Sequence, residues 1–157
     1  MANQSDTAEG LDPFQLSRFL DAQQAVYPEI LDELRRGRKQ THWMWFVFPQ
    51  VEGLGSSFMA RRYAIRSLAE ARRYLAHPVL GARLTECSEM LLAIQGKSIS
   101  EVMGCPDDVK LKSSMTLFAG LGRPDSVFAR VLDKYFHGQR DARTIEFLRH
   151  GPDDGSP

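Results

Sequence analysis

From Leu16 onward, apolar residues recur at helical spacing for most of the chain. Leu16, Phe19 and Leu20 share a face with Gln23, and Tyr27, Ile30, Leu31 and Leu34 repeat that spacing. Asp12-Pro13-Phe14-Gln15 reads as an N-cap, a proline at the first helical position and a glutamine reaching back as in a capping box. Arg35-Arg36-Gly37 closes the second segment with cations and a C′ glycine. Ser57 is placed to cap a short helix through Ala64. Ser67-Leu68-Ala69-Glu70 is a capping box for a helix to about His77. Pro78 opens the longest helix, with Leu80, Leu84, Cys87, Leu91 and Ile94 on one face. Ser98-Ile99-Ser100-Glu101 is a further capping box, and Gly104 stops that helix. Cys105 to Asp108 begins a helix with an acidic first turn and with Leu111, Met115 and Phe118 on one side. Asp125 or Ser126 starts the next, with Phe128, Val131, Leu132 and Tyr135 inward and Gly138 as the stop. Asp141 caps a last helix through Ile145 and Leu148.

The exception to this periodicity is Thr41-His42-Trp43-Met44-Trp45-Phe46-Val47-Phe48-Pro49-Gln50, which holds both tryptophans of the chain. From Trp43 to Phe48 every side is apolar, so burial is expected whether the run is helix or strand. Its four Trp and Phe side chains would each bury roughly 150–250 Å², on the order of 20 kcal/mol gross before entropy is counted. His42 and Gln50 bracket the run as candidate partners for the indole N–H groups. The run is β-prone but has no mate, and a lone strand is not stable. The expectation is therefore all-α: a single compact orthogonal helical domain of about seven or eight helices over residues 11–150, with disordered tails at 1–10 and 151–157.

Composition narrows the function classes. The 157 residues are long enough for one domain with a real core. Lys+Arg and Asp+Glu number 20 each, which argues against a broad nucleic-acid footprint despite the local run of Arg61, Arg62, Arg66, Arg72 and Arg73. Cys87 and Cys105 form no zinc spacing, and His42, His77, His137 and His150 are scattered, so no metal site and no cofactor is expected. No apolar run reaches membrane-spanning length and no secretory h-region is present, which points to a cytoplasmic protein.

These landmarks resemble a bacterial family of unknown function, typified by a small mycobacterial protein and sometimes mislabelled calpastatin. The resemblance rests on Asp12-Pro13-Phe14, Phe19 to Gln23, Leu34 to Lys39, His42 to Gln50, Gly53 to Ser56, Tyr63 to Ile65, Glu70-Ala71, Tyr74 to Gly81, Pro106 to Asp108, Lys110 to Phe118, Leu132 to Tyr135 and the final helix with Asp141, Thr144 and Ile145. It covers roughly residues 12–148 and implies an all-helical single domain, and it implies no activity. Cys105 is the departure from the pattern.

The polar residues on these landmarks locate a candidate site between His42–Gln50 and Lys110–Phe118. One reading is a small-molecule pocket for a nucleotide or an ADP-ribose-like ligand. Trp43 or Trp45 would stack on a base, Lys39, Lys110 or Lys112 would meet phosphate, and the Gly53–Ser57 loop would add amides, with His42, Gln50, Ser56 and Ser114 completing the lining. A second reading is a hydrolase with His42 as general acid/base, Ser113 or Ser114 as nucleophile, and Asp107 or Asp108 as orienting carboxylate. No G-x-S-x-G elbow supports that order. The third reading is a non-enzymatic module presenting an aromatic groove to a protein. An exposed apolar patch would favour a protein partner, and a cleft lined by His42 and Ser114 a ligand.

Overall fold

A computed structural model describes residues 12–153. The first helix, α1 (Ser17–Gln24), leads into α2 (Tyr27–Arg35), a four-residue α3 (Met44–Val47) and a short α4 (Phe58–Arg62). The chain continues through α5 (Leu68–Ala76), α6 (Leu80–Ala93) and α7 (Ile99–Met103) to α8 (Asp107–Ala119), α9 (Val127–Phe136) and α10 (Ala142–His150). The fold is all-α, with ten helices among the described residues rather than seven or eight. The short helices α4 and α7 fall where the Ser57 and Ser98 caps place them, and the one helix without a sequence signal is the four-residue α3 inside the aromatic run.

Local chemistry sets most of the boundaries. Ser57, Ser67, Ser98, Ser126 and Asp141 each accept a hydrogen bond from the backbone N–H three residues on. Ser98 and Glu101 form the full reciprocal box. Glu70 does not close a box with Ser67, because its carboxylate takes the N–H of Arg66 and the Arg18 guanidinium instead. At the start, Asp12 accepts from Leu16 and Ser17, Gln15 sits at φ 54°, and α1 opens four residues later than Pro13 suggests.

The aromatic run is a helical turn and not a strand. The one bridge nearby joins Val51 to Ile65, with Gln50 C=O accepting from Ile65 N–H. That bridge closes the glycine-serine segment into a loop whose ends are pinned together. Gly55 is required in it, since an added Cβ would lie 2.7 Å from the Ala60 Cβ.

Helix α8 runs through the middle, packed against α5, α7, α9 and α10. All but one residue from Leu111 to Ala119 are buried on it, including Ser113, Ser114 and Thr116. A helix covered on nearly every side belongs in a core, and its polar residues must then be satisfied locally or left unpaired. Helix α6 forms the second layer against α2, α5 and α9. Phe19, Tyr74, Phe118 and Phe128 link the layers through tilted and edge-on ring contacts. No described helix is long and apolar enough to cross a membrane. Residues 1–10 and the end of the 151–157 segment, expected as tails, lie outside the described residues; Pro152 and Asp153 accept from the N–H groups of Leu68 and Ala69.

Candidate functional site

Three buried polar groups hold the aromatic run in place. Gln23, 1% exposed on α1, donates to the Phe46 carbonyl at 2.6 Å and accepts from Arg83. Glu33, on α2, accepts from Gln40 N–H, Thr41 N–H, the Thr41 hydroxyl and, at 3.1 Å, the Trp43 indole. Burial alone would raise the Glu33 pKa, but these four donors outweigh it and hold the carboxyl below its ordinary value. Lys39 lies over the Trp43 ring at 4.9 Å, donates to the Thr41 carbonyl and pairs with Asp107 at 2.9 Å. This nearly buried ion pair ties the approach to the aromatic run directly to the start of α8.

The run then splits by side. Trp43, Phe46 and Phe48 are in the core, whereas Trp45 is only partly buried and turns toward α8. There it forms one wall of a cleft of about 400 Å³. Gln50 and the Leu54–Ser57 loop form the second wall, and Lys110 and Ser113 of α8 the third, with Tyr63 and Asp141 at its edges. The Lys110 ammonium lies 5.3 Å from the Trp45 ring centroid. A smaller cleft of about 270 Å³ lies on the other side of Trp45 and Lys110, lined by Lys39, His42, Cys105 and Asp107 among others.

Of the residues expected at a site, Trp45, Gln50, Ser56, Lys110 and Ser113 therefore line the larger cleft. Lys39, His42 and Asp107 line the smaller one. Trp43 is 1% exposed and meets neither cleft; its N–H partner is Glu33 and not His42 or Gln50. Ser114 is fully buried on the core side of α8, with no hydrogen-bond partner for its hydroxyl. Asp108 accepts from Ser100 on the α7 side and makes no ion pair with Lys112, which lines neither cleft. No hydrogen bond joins His42 to Asp107, Asp108, Ser113 or Ser114 among the described residues. Of the two adjacent α8 serines, Ser113 lines the cleft and donates its hydroxyl back to the Val109 carbonyl at 3.4 Å.

Glu33, Tyr63 and Asp141 were not singled out as site residues from sequence. Asp141 was legible only as a helix cap, which it is: one carboxylate oxygen takes both the N–H and the hydroxyl of Thr144. Its backbone N–H donates to Thr116 of α8, and this fixes the cap at the cleft edge. Tyr63 follows two arginines and stands out in the sequence only as one of the residues that carry the family resemblance. The arginine run goes elsewhere: Arg61, Arg62 and Arg66 border a separate cleft with Arg18, whose guanidinium is held by Glu70 at 2.7 Å and by four backbone carbonyls. Cys105 is exposed, and Cys87 is buried and its thiol pushed up to about 12, with burial the largest cause. Among the described residues no three His, Cys, Asp or Glu side chains gather to hold a metal ion.

Comparison with known proteins places this architecture. Among solved structures, the conserved hypothetical protein Rv1873 from Mycobacterium tuberculosis is 53% identical, with a TM-score of 0.86, over 88% of this chain and 99% of that one. No curated protein matches the chain. Residues 13–148 match the model of the family described as a protein of unknown function, DUF1810. The match runs from the turn before α1 almost to the end of α10, and the chain belongs to the DUF1810 family.

Proposed function

We propose that this chain binds a nucleotide-like small molecule in the cleft between Trp45 and α8, within the cytoplasm. The observation that carries the reading is convergence. Two stretches far apart in sequence supply Trp45 and Gln50 on one side and Lys110 and Ser113 on the other, around about 400 Å³. That volume is within the range of about 300–1,000 Å³ for small-molecule sites. The lining suits a ligand with three kinds of group. The partly buried Trp45 ring offers stacking surface for a base. Lys110 offers an ammonium to a phosphate, and the hydroxyls of Ser56 and Ser57 add donors beside it. Asp141 keeps one carboxylate oxygen outside its cap to accept from sugar hydroxyls. An exposed Cys105 thiol suits a reducing compartment.

The protein-docking reading draws less support. The large hydrophobic residues exposed among the described ones are Phe58 on α4, Val79 just before α6 and Val109 on α8, and only one of them is aromatic.

A thermal-shift screen against nucleotides and ADP-ribose derivatives tests the reading. A ligand at about 100 times its Kd adds about 2.7 kcal/mol, a Tm rise of about 5–11 °C for a domain of this size. Lys110→Gln and Gln50→Ala remove the rise, and Ser114→Ala keeps it. No rise across the panel, or a rise unchanged in Lys110→Gln, refutes the proposal.

A further inference from the structure

The two clefts share Trp45, Pro106 and Lys110 as common walls. Lys110 lying over the Trp45 ring makes the ridge between them. On that ridge the two lysines are not equivalent. The Lys39 ammonium is engaged by Asp107 at 2.9 Å and by the Thr41 carbonyl, with its side chain 4% exposed. The Lys110 ammonium is 3.9 Å from Asp107 and has no hydrogen bond among the described residues, with its side chain 28% exposed. One carboxylate faces two cations, and the closer pairing belongs to Lys39. The net positive charge therefore falls on the ridge, and it is carried by a flexible group with three free donors.

The lobes on either side differ in chemistry. The larger has aromatic walls, hydroxyls and the Asp141 carboxylate. The smaller, at about 270 Å³, has the imidazole of His42 on its wall and no second free cation. His42 is exposed there and has no hydrogen-bond partner among the described residues.

From this we propose that the two clefts are one site for a two-ended ligand, a nucleoside diphosphate carrying a second sugar. The nucleoside occupies the larger lobe, the diphosphate crosses the ridge against Lys110, and the second sugar hydrogen-bonds His42 in the smaller lobe. This rests on the nucleotide reading above and adds to it the ligand's length and polarity. A neutral or cationic linker would leave the ridge charge uncompensated, and a single nucleoside would leave the smaller lobe empty.

Isothermal titration of the full chain with AMP, ADP and ADP-ribose separates the two claims. ADP-ribose is expected to bind at least tenfold more tightly than AMP. His42→Ala removes the gain from the second ribose and brings ADP-ribose to the affinity of ADP, with AMP and ADP unchanged. Lys110→Gln weakens ADP and ADP-ribose by at least tenfold. His42 is exposed, so its substitution does not disturb the core, and circular dichroism of each variant checks this. If AMP and ADP-ribose bind equally, or His42→Ala leaves ADP-ribose unaffected, the two-ended ligand is wrong while the nucleotide reading of the larger cleft stands. If none of the three binds, both are wrong.

Discussion

Replacing Glu33 by alanine removes the acceptor on which the approach to the site depends. Four donors converge on this carboxylate, and they differ in what they lose. The N–H groups of Gln40 and Thr41 and the Thr41 hydroxyl belong to exposed or half-exposed residues, so water replaces Glu33 at a cost of about 0.5–1 kcal/mol each. The Trp43 indole N–H is different. Its residue is 1% exposed, and without Glu33 it is left unpaired at about 1–3 kcal/mol. The sum is about 2.5–6 kcal/mol for Glu33→Ala. Glu33→Gln keeps one acceptor oxygen and gives up only the charge, and a loss of about 1–2 kcal/mol is expected. Urea denaturation of both variants and the parent at neutral pH measures these differences. The pH dependence follows from the direction of the shift. The folded carboxyl titrates below the ordinary glutamate value of 4.5, so its contribution is complete above that value. It disappears as pH falls through the lower folded value, and the gap between parent and Glu33→Gln narrows there. A loss under about 1 kcal/mol for Glu33→Ala, or a gap that does not shrink in acid, would refute the assignment.

Further outcomes follow from other sites. Ser114→Ala removes a fully buried hydroxyl with no partner, so thermal denaturation is expected to show an unchanged or slightly higher Tm; a fall of more than about 1 kcal/mol would reveal a hidden bond. Gly81→Ala places a Cβ 2.0 Å from the Leu75 carbonyl oxygen, where α6 passes the end of α5. The expected loss is at least about 1–3 kcal/mol by denaturant titration, and a neutral substitution would contradict that packing. In a thiol-reagent assay of the native protein, the exposed Cys105 reacts and Cys87, buried and pushed up to about 12, does not; both react in denaturant, and two fast thiols in the native state would contradict the burial.

Much of the fold is legible in the sequence because its signals are local. A serine or aspartate cap acts on an N–H three residues away, so Ser57, Ser67, Ser98, Ser126 and Asp141 can be read without knowing the tertiary structure. The aromatic run resisted reading for the opposite reason. Being apolar on every side it has no period, and its helical turn depends on Gln23 and Glu33 meeting it across the fold. The site divides in the same way. Trp45 and Lys110 are conspicuous residue types that face each other, whereas Ser113 and Ser114 look interchangeable in sequence. One residue along a helix turns the side chain by about 100°. That turn puts Ser113 on the cleft and Ser114 in the core. Tyr63 reaches the cleft because the Val51–Ile65 bridge folds its segment back, a contact with no signature in the residues themselves.

Both tryptophans of the chain lie in the aromatic run, so tryptophan emission, excited selectively over the tyrosines, reports on this region alone. The most direct test is a tryptophan-fluorescence titration of the parent, Trp45→Phe and Lys110→Gln with ADP-ribose. The account predicts a saturable change in the parent that is lost in Trp45→Phe, because Trp43 is sealed in the core, and shifted to at least tenfold higher ligand concentration in Lys110→Gln. A flat titration in the parent, or a change that persists in Trp45→Phe, would contradict the claim that the cleft between Trp45 and α8 is the binding site.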